Sequence, residues 1–171
     1  MPAGDTLQIR EARPDELTAV GDLRVAAYVA GGFLAADSRY APRLRALGTD
    51  APATILVAVE PGGEITGTIM LQTWPDAHEL VTRPEEAEIR ALAVAPGAQR
   101  GGVGRALLAE LIRRAVRHGA RNLLLSTLPD MRAAHRLYEQ AGFRRLPDRD
   151  WSPESGTELL VYALPLDGVA A

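Results

Sequence analysis

The segment Gln99-Arg100-Gly101-Gly102-Val103-Gly104-Arg105-Ala106 places three glycines between two arginines. Glycine lets the backbone approach a ligand with no Cβ in the way, and it admits positive φ. Directly after it, Leu107, Leu108, Leu111, Ile112, Ala115 and Val116 fall on one helical face, which predicts a helix opening at Gly101–Gly104, running to His118 and stopped by Gly119. A helix start has unpaired N–H groups and the positive end of the dipole, so the pattern reads as a pyrophosphate cradle, with Arg100 and Arg105 adding charge. The dipole contributes only about 0.3–1 kcal/mol at an exposed end, so several main-chain N–H bonds must carry the affinity. A dinucleotide fingerprint fits poorly: Gly102 and Gly104 supply two glycines of GxGxxG, but the third position is Leu107. Three glycines flanked by arginines at a helix start also argue against an ordinary loop. His78, His118 and His135 have no metal-ligand spacing, so no metal is expected and all three read as structural.

The elements that must position this turn are legible from periodicity. Leu7–Arg10 reads as a strand, followed by a Pro14-Asp15 start signal and a helix to about Ala30. Gly31-Gly32 ends it, and a second helix is expected over Ser38–Leu47. Ile55–Glu60 and Glu64–Leu71 flank Pro61-Gly62-Gly63 as a hairpin. After the connection Gln72–Ala87, Ile89–Val94 is a strand closed by Ala95-Pro96-Gly97. Beyond the glycine-led helix, Asn122–Thr127 reads as a buried strand, and Asp130 as the cap of a helix over Met131–Gln140 that Gly142 terminates. Arg144–Asp150 and Thr157–Leu164 read as final strands. The expected order is β-α-α-β-β-β-α-β-α-β-β, an α/β chain (an α+β mixed sheet with helices packed on it) forming a single domain over 1–171.

Composition removes whole classes of chemistry. The chain of 171 residues has no cysteine, and all 19 of its strong cations are arginine. Disulfides, Cys-ligated zinc and a catalytic thiol are excluded, as are a P-loop lysine and a Schiff base. The net charge of −3 gives no global attraction to nucleic acid or to an anionic membrane. No signal peptide and no apolar run of membrane-spanning length is read, so the default is a soluble cytoplasmic protein. Charge is uneven: residues 1–99 carry −6 and residues 100–171 carry +3, which favours an anionic ligand at the second half.

With these residues in place, the chain resembles the GCN5-related N-acetyltransferase superfamily. Gln99, Gly102 and Gly104 match its signature Q/R-x-x-G-x-G/A, and Glu88–Pro96 looks like its fourth strand. Arg136-Leu137-Tyr138-Glu139-Gln140-Ala141-Gly142-Phe143 looks like its LYExxGF segment. The element order agrees as well, so the resemblance covers most of the chain. It implies acetyl-CoA as cofactor, held by Gln99, Arg100, Gly101, Gly102, Val103, Gly104 and Arg105. Backbone groups of Leu92, Ala93 and Val94 would hold the thioester carbonyl and the pantetheine arm. One departure is clear: the family commonly has Asn seven residues before its tyrosine, and here that position is Met131.

The resemblance also assigns catalytic roles. Acetyl transfer from a thioester needs a neutral amine, a stabilised oxyanion and a proton for the leaving thiolate. Thiols titrate near ~8.5 and tyrosine near ~10, so a tyrosine hydroxyl can donate to a departing thiolate, and Tyr138 holds the family's position for that donor. Glu88 is the candidate base; a lone carboxylate near ~4.3 is a weak base for an ammonium, so burial or a water relay is required. The alternative for Tyr138 is a core tyrosine, and for Glu88 an exposed strand end beside Glu85 and Glu86.

The acceptor is expected to be a small-molecule or peptide amine. Trp74, Asp76, Glu79, Glu85 and Glu86 give the Gln72–Ala87 connection an acidic and aromatic character suited to a cation, and Tyr28, with Phe33 and Tyr40, could line the opposite wall. A homodimer is open. The alternative function is a non-catalytic acyl-CoA-binding module that senses the cofactor or supports a partner. Without cysteine, acetyl groups cannot rest on a thiol, which favours direct transfer.

Overall fold

The computed structural model describes residues 6–77, 79–153 and 156–169. The expected element order is observed. Seven strands form one mixed sheet in the order β1-β2-β3-β4-β5-β7-β6. They are β1 (Gln8–Glu11), β2 (Thr54–Val59), β3 (Ile65–Thr73), β4 (Glu86–Val94), β5 (Asn122–Thr127), β6 (Arg144–Arg145) and β7 (Leu160–Pro165). The helices are α1 (Leu17–Ala30), α2 (Ala41–Ala46), α3 (Val103–Arg117) and α4 (Arg132–Gln140). By its contacts the chain divides into two compact units, Met1–Met70 with Ala91–Leu111, and Leu71–Arg90 with Ile112–Ala171.

In the first unit, β1 lies antiparallel to β2, from Gln8↔Val59 to Glu11↔Leu56. Alternate residues of β2 feed a core: Ile55, Val57 and Val59 pack with Val20 of α1 and Met70 of β3. Val25, Ala41 and Leu44 form a second cluster where α1 meets α2. The helices approach closely because Gly21 has no side chain; a Cβ there would sit 2.8 Å from the Arg45 carbonyl oxygen. Three residues on, the buried Arg24 donates from Nη1 to the carbonyls of Leu44 (3.2 Å) and Leu47 (2.9 Å), satisfying acceptors that the end of α2 leaves open. Gly21→Ala is therefore expected to destabilise by ~1–3 kcal/mol through overpacking. Gly→Ala in a helix ordinarily gains roughly 0.5–1 kcal/mol. A thermal melt checks the sign, because backbone Arg45 cannot rotate out of the way.

In the second unit, β5 is central. It runs parallel to β4, from Glu86↔Asn122 to Ile89↔Leu125, and antiparallel to β7, from Asn122↔Pro165 to Thr127↔Leu160. Leu80, Leu124 and Val161 make a cluster that Leu146, Trp151 and Ala163 flank.

Local corrections have local causes. The strand expected over Arg144–Asp150 is only Arg144–Arg145, because Pro147 opens a 3₁₀ turn over Pro147–Arg149. The helix expected over Ser38–Leu47 shortens to Ala41–Ala46, with Pro42 in its first turn. Asp130 does not cap α4: the cap residue is Met131, with no side-chain cap bond, and Asp130 offers its carbonyl to Arg132 N instead. The last strand begins at Leu160 rather than Thr157. Gly119 (φ 85) and Gly142 (φ 101) close α3 and α4 in the left-handed region, as the sequence predicts.

Candidate functional site

The glycine-rich turn is shaped by two positive φ angles, Arg100 (φ 71) and Gly102 (φ 81), between an extended Gln99 and the first residue of α3. The helical ladder begins with Ala106 N–H on the Gly102 carbonyl at 3.0 Å, so the N–H groups of Val103, Gly104 and Arg105 precede it. In front of Gly102 nothing lies within 4 Å of where a Cβ would be, and at Gly101 the nearest atom is the Ala98 carbonyl oxygen at 3.4 Å. Arg100 and Arg105 are exposed, whereas the Val103 side chain is buried, leaving only its backbone to face a ligand. Gln99 Nε2 reaches the Val94 carbonyl at 3.4 Å. This is an open, bare-backbone cradle with positive charge on its rim, and it fits an anionic diphosphate.

A residue passed over in the sequence holds this cradle in place. A Cβ on Gly67 of β3 would lie 2.7 Å from Val103 Cγ1 and 2.8 Å from Leu107 Cδ1. Gly67 thus lets the first turn of α3 sit directly on the strand. A lone glycine inside an apolar strand pattern is the signal that could have found it.

Upstream, Ala91 on β4 has φ 54. A non-glycine residue in the left-handed region within a strand marks a bulge that re-aims the backbone, and it lies two residues after the β4–β5 register ends at Ile89↔Leu125. Leu92, Ala93 and Val94, expected to present backbone groups, follow this bulge immediately. Ala91 also packs on the Val25/Ala41/Leu44 cluster, as does the half-buried Tyr28. Tyr40, by contrast, stands exposed.

In the second unit, Glu88 is 2% exposed, inside β4 rather than at its exposed end. Alternation puts Glu86, Glu88 and Arg90 on one face of the strand. Both neighbours are paired. Glu86 binds Arg149 Nη1 at 2.9 Å and accepts from Thr82 N at 2.9 Å, while Arg149 Nη2 donates to the Leu80 carbonyl at 2.7 Å. Burial alone would push the Glu86 carboxyl up, but the bonds from Arg149 and Thr82 hold it below the usual carboxylate range. Arg90 pairs with Glu79 and reaches Gln72 Oε1 at 3.4 Å. Two acids of the connection, Glu79 and Glu86, are therefore paired with arginine within the protein. What that segment presents is Trp74, 43% exposed, two residues before Asp76. His78 lies outside the described residues.

Tyr138 is buried on α4, its ring 5.8 Å from Phe143 and 6.2 Å from Tyr162. Gly142 makes this possible: its positive φ turns the chain so that Phe143 N–H bonds back to the Tyr138 carbonyl at 3.0 Å. His135 is structural, with Nε2 3.0 Å from the Leu128 carbonyl, and His118 sits just past the end of α3. At Met131, the sulfur lies 3.7 Å from the Thr127 hydroxyl. Register places the two catalytic candidates on opposite faces of the sheet. Glu88 shares its face with Leu124 and Ala163, and Tyr162, which meets Tyr138, points the other way. Among the described residues, no group of three His, Cys, Asp or Glu could hold a metal ion, and no helix is long and apolar enough to cross a membrane.

Comparison with known proteins agrees with this fold. The model of the acetyltransferase (GNAT) family matches residues 18–143. A mycothiol acetyltransferase of Salinispora arenicola (strain CNS-205) is 36% identical over 94 residues, 54% of this chain, and the match spans only 29% of that protein. Among solved structures, a GNAT-family acetyltransferase from Staphylococcus aureus Mu50 superposes with TM-score 0.75 at 17% identity, covering 94% of this chain and 99% of that one. A protein from Salmonella typhimurium solved with its cofactor acetyl-CoA gives TM-score 0.69 at 23% identity, covering 98% of each chain. The ribosomal-protein-S18-alanine N-acetyltransferase of Escherichia coli gives 0.68 at 22%, covering 94% of each.

Proposed function

Because the chain belongs to the acetyltransferase (GNAT) family, we propose that residues 1–171 act as one N-acetyltransferase domain that moves an acetyl group from acetyl-CoA directly to an amine. The observation that supports this best is the start of α3, where positive φ at Arg100 and Gly102 exposes bare backbone ahead of the first helical hydrogen bond. In this reading the N–H groups around Gly101–Arg105 and the side chains of Gln99, Arg100 and Arg105 hold the cofactor's pyrophosphate. The backbone of Leu92–Val94, re-aimed by the bulge at Ala91, binds the thioester arm. Bound acetyl-CoA supplies the activated acetyl group.

The chain's own residues then handle two protons. A Glu88 carboxylate oxygen takes one from the incoming amine, and its burial at 2% exposure keeps bulk water from competing. Tyr138 Oη holds the other, ready for the leaving sulfur. The acceptor is a primary amine of a small molecule or peptide, met by the exposed Trp74 ring and by Asp76. With Glu79 and Glu86 already paired to arginine, the connection favours a single ammonium over a polycation.

Direct transfer predicts that incubation with acetyl-CoA alone leaves no acetyl group on a side chain, by mass mapping; an acetylated side chain that passes its acetyl group on to added amine would overturn it. Glu88→Gln is expected to lower kcat/KM for the amine by about 10²-fold, with acetyl-CoA affinity preserved by calorimetry. Unchanged kcat/KM would remove Glu88 from the base role.

A further inference from the structure

We infer that Tyr162 is the positioning residue for Tyr138, holding the face of α4 that carries it. This rests on the assignment of Tyr138 as proton donor. α4 is nine residues long and has no side-chain cap at its start, so its orientation must come from packing rather than from its own stability. Tyr162 supplies that packing through three contacts. Its ring lies 5.5 Å from His135 and 6.2 Å from Tyr138, and its hydroxyl donates to Glu139 Oε1 at 3.3 Å. Residues 135, 138 and 139 are related by three and four positions, the spacing of one helix face. A single β7 side chain therefore meets the face that bears Tyr138.

Tyr162 is in turn fixed from behind. The Arg145 guanidinium stands 5.6 Å from the Tyr162 ring centroid. That arginine is locked by two 2.7 Å bonds to Asp150 and a 2.8 Å bond to the Val161 carbonyl, and Asp150 Oδ1 also accepts from Val161 N at 2.8 Å. Tyr162 is 3% exposed, so its ring has no solvent-facing alternative. Burial and the adjacent Glu139 push its hydroxyl above the ordinary tyrosine range, which keeps the proton on Tyr162 as the donor to Glu139.

The test is a double-mutant cycle read by kcat and by ¹⁹F NMR of 3-fluorotyrosine protein without cofactor. In the wild-type background, Tyr162→Leu is expected to lower kcat by tenfold or more with KM for both substrates unchanged, because small misplacement of a catalytic group is costly. In the Tyr138→Phe background, the same change is expected to have no further effect on kcat. The fluorotyrosine signal of Tyr138, assigned by its loss in Tyr138→Phe, should move toward that of the free amino acid in Tyr162→Leu and stay in place in Tyr162→Phe, which keeps the ring. Should Tyr162→Leu fail to fold, Arg145→Met carries the same cycle, expected to shift the Tyr138 signal and to lower kcat only where Tyr138 is present. An equal loss of kcat in both backgrounds, or an unmoved Tyr138 signal, overturns the positioning role alone. A Tyr138→Phe enzyme with unimpaired kcat overturns the proton-donor assignment and this role with it.

Discussion

Tyr138→Phe is expected to lower kcat for amine acetylation by about 10²-fold, the loss typical of removing a positioned general acid. KM for acetyl-CoA and for the amine should stay within about twofold, because in this reading the substrate takes up the hydroxyl proton as the sulfur departs. The ring remains, and with it the contacts to Phe143 at 5.8 Å and Tyr162 at 6.2 Å, so the variant is expected to fold. Steady-state kinetics beside a thermal melt check all three expectations. A kcat within about twofold of wild type would reduce Tyr138 to a core residue, the alternative that its burial also fits.

Gly102→Val carries the second large effect, on cofactor binding. At φ 81, a β-branched residue is strained by on the order of 1–2 kcal/mol. Relaxing that strain rotates the N–H groups of Val103–Arg105 away from their common focus. The new side chain also occupies space that is open at Gly102, with nothing within 4 Å of the Cβ position. Both effects act on the same ligand, so the acetyl-CoA Kd measured by calorimetry should rise tenfold or more. Gly97→Ala is the control: it is also open, has no positive φ, and should bind as wild type does. Equal affinity in Gly102→Val and wild type would mean that the pyrophosphate is held elsewhere.

The features visible in the sequence are those governed by local chemistry. Gly119 and Gly142 announce helix ends because few other residues tolerate their φ, and the period of α3 marks its buried face before any tertiary contact is known. The cradle was legible for the same reason. Glu88 was less so: the apolar pattern starts the strand at Ile89, whereas β4 begins at Glu86. That extension depends on Arg149, 63 residues away, which neutralises Glu86 within the sheet. No local window contains such a pair. The sequence likewise does not show that Arg90 and Arg149 pair with Glu79 and Glu86 in space. Ala91 gives no warning of a positive φ, because alanine has no preference for it. The bulge exists because the surrounding sheet and the Val25/Ala41/Leu44 cluster impose it.

The stability of the site has a similar tertiary origin. α4 is too short to persist alone, so the geometry of Tyr138 depends on β7, on Phe143 and on the Arg145–Asp150 pair behind Tyr162. Motif and mechanism are thus linked through side chains that the motif does not contain. Leu137-Tyr138-Glu139 marks the helix, but Tyr162 touches two of its neighbouring positions and fixes its face.

Acetyl transfer to an amine is tested most simply by release of free thiol from acetyl-CoA, followed with and without a panel of primary amines. Amine-dependent release with stoichiometric acetylated amine, reduced about 10²-fold in Tyr138→Phe, is the predicted result. Tight acetyl-CoA binding with no amine in the panel accelerating release would contradict it, and would make the chain a cofactor-binding module rather than a transferase.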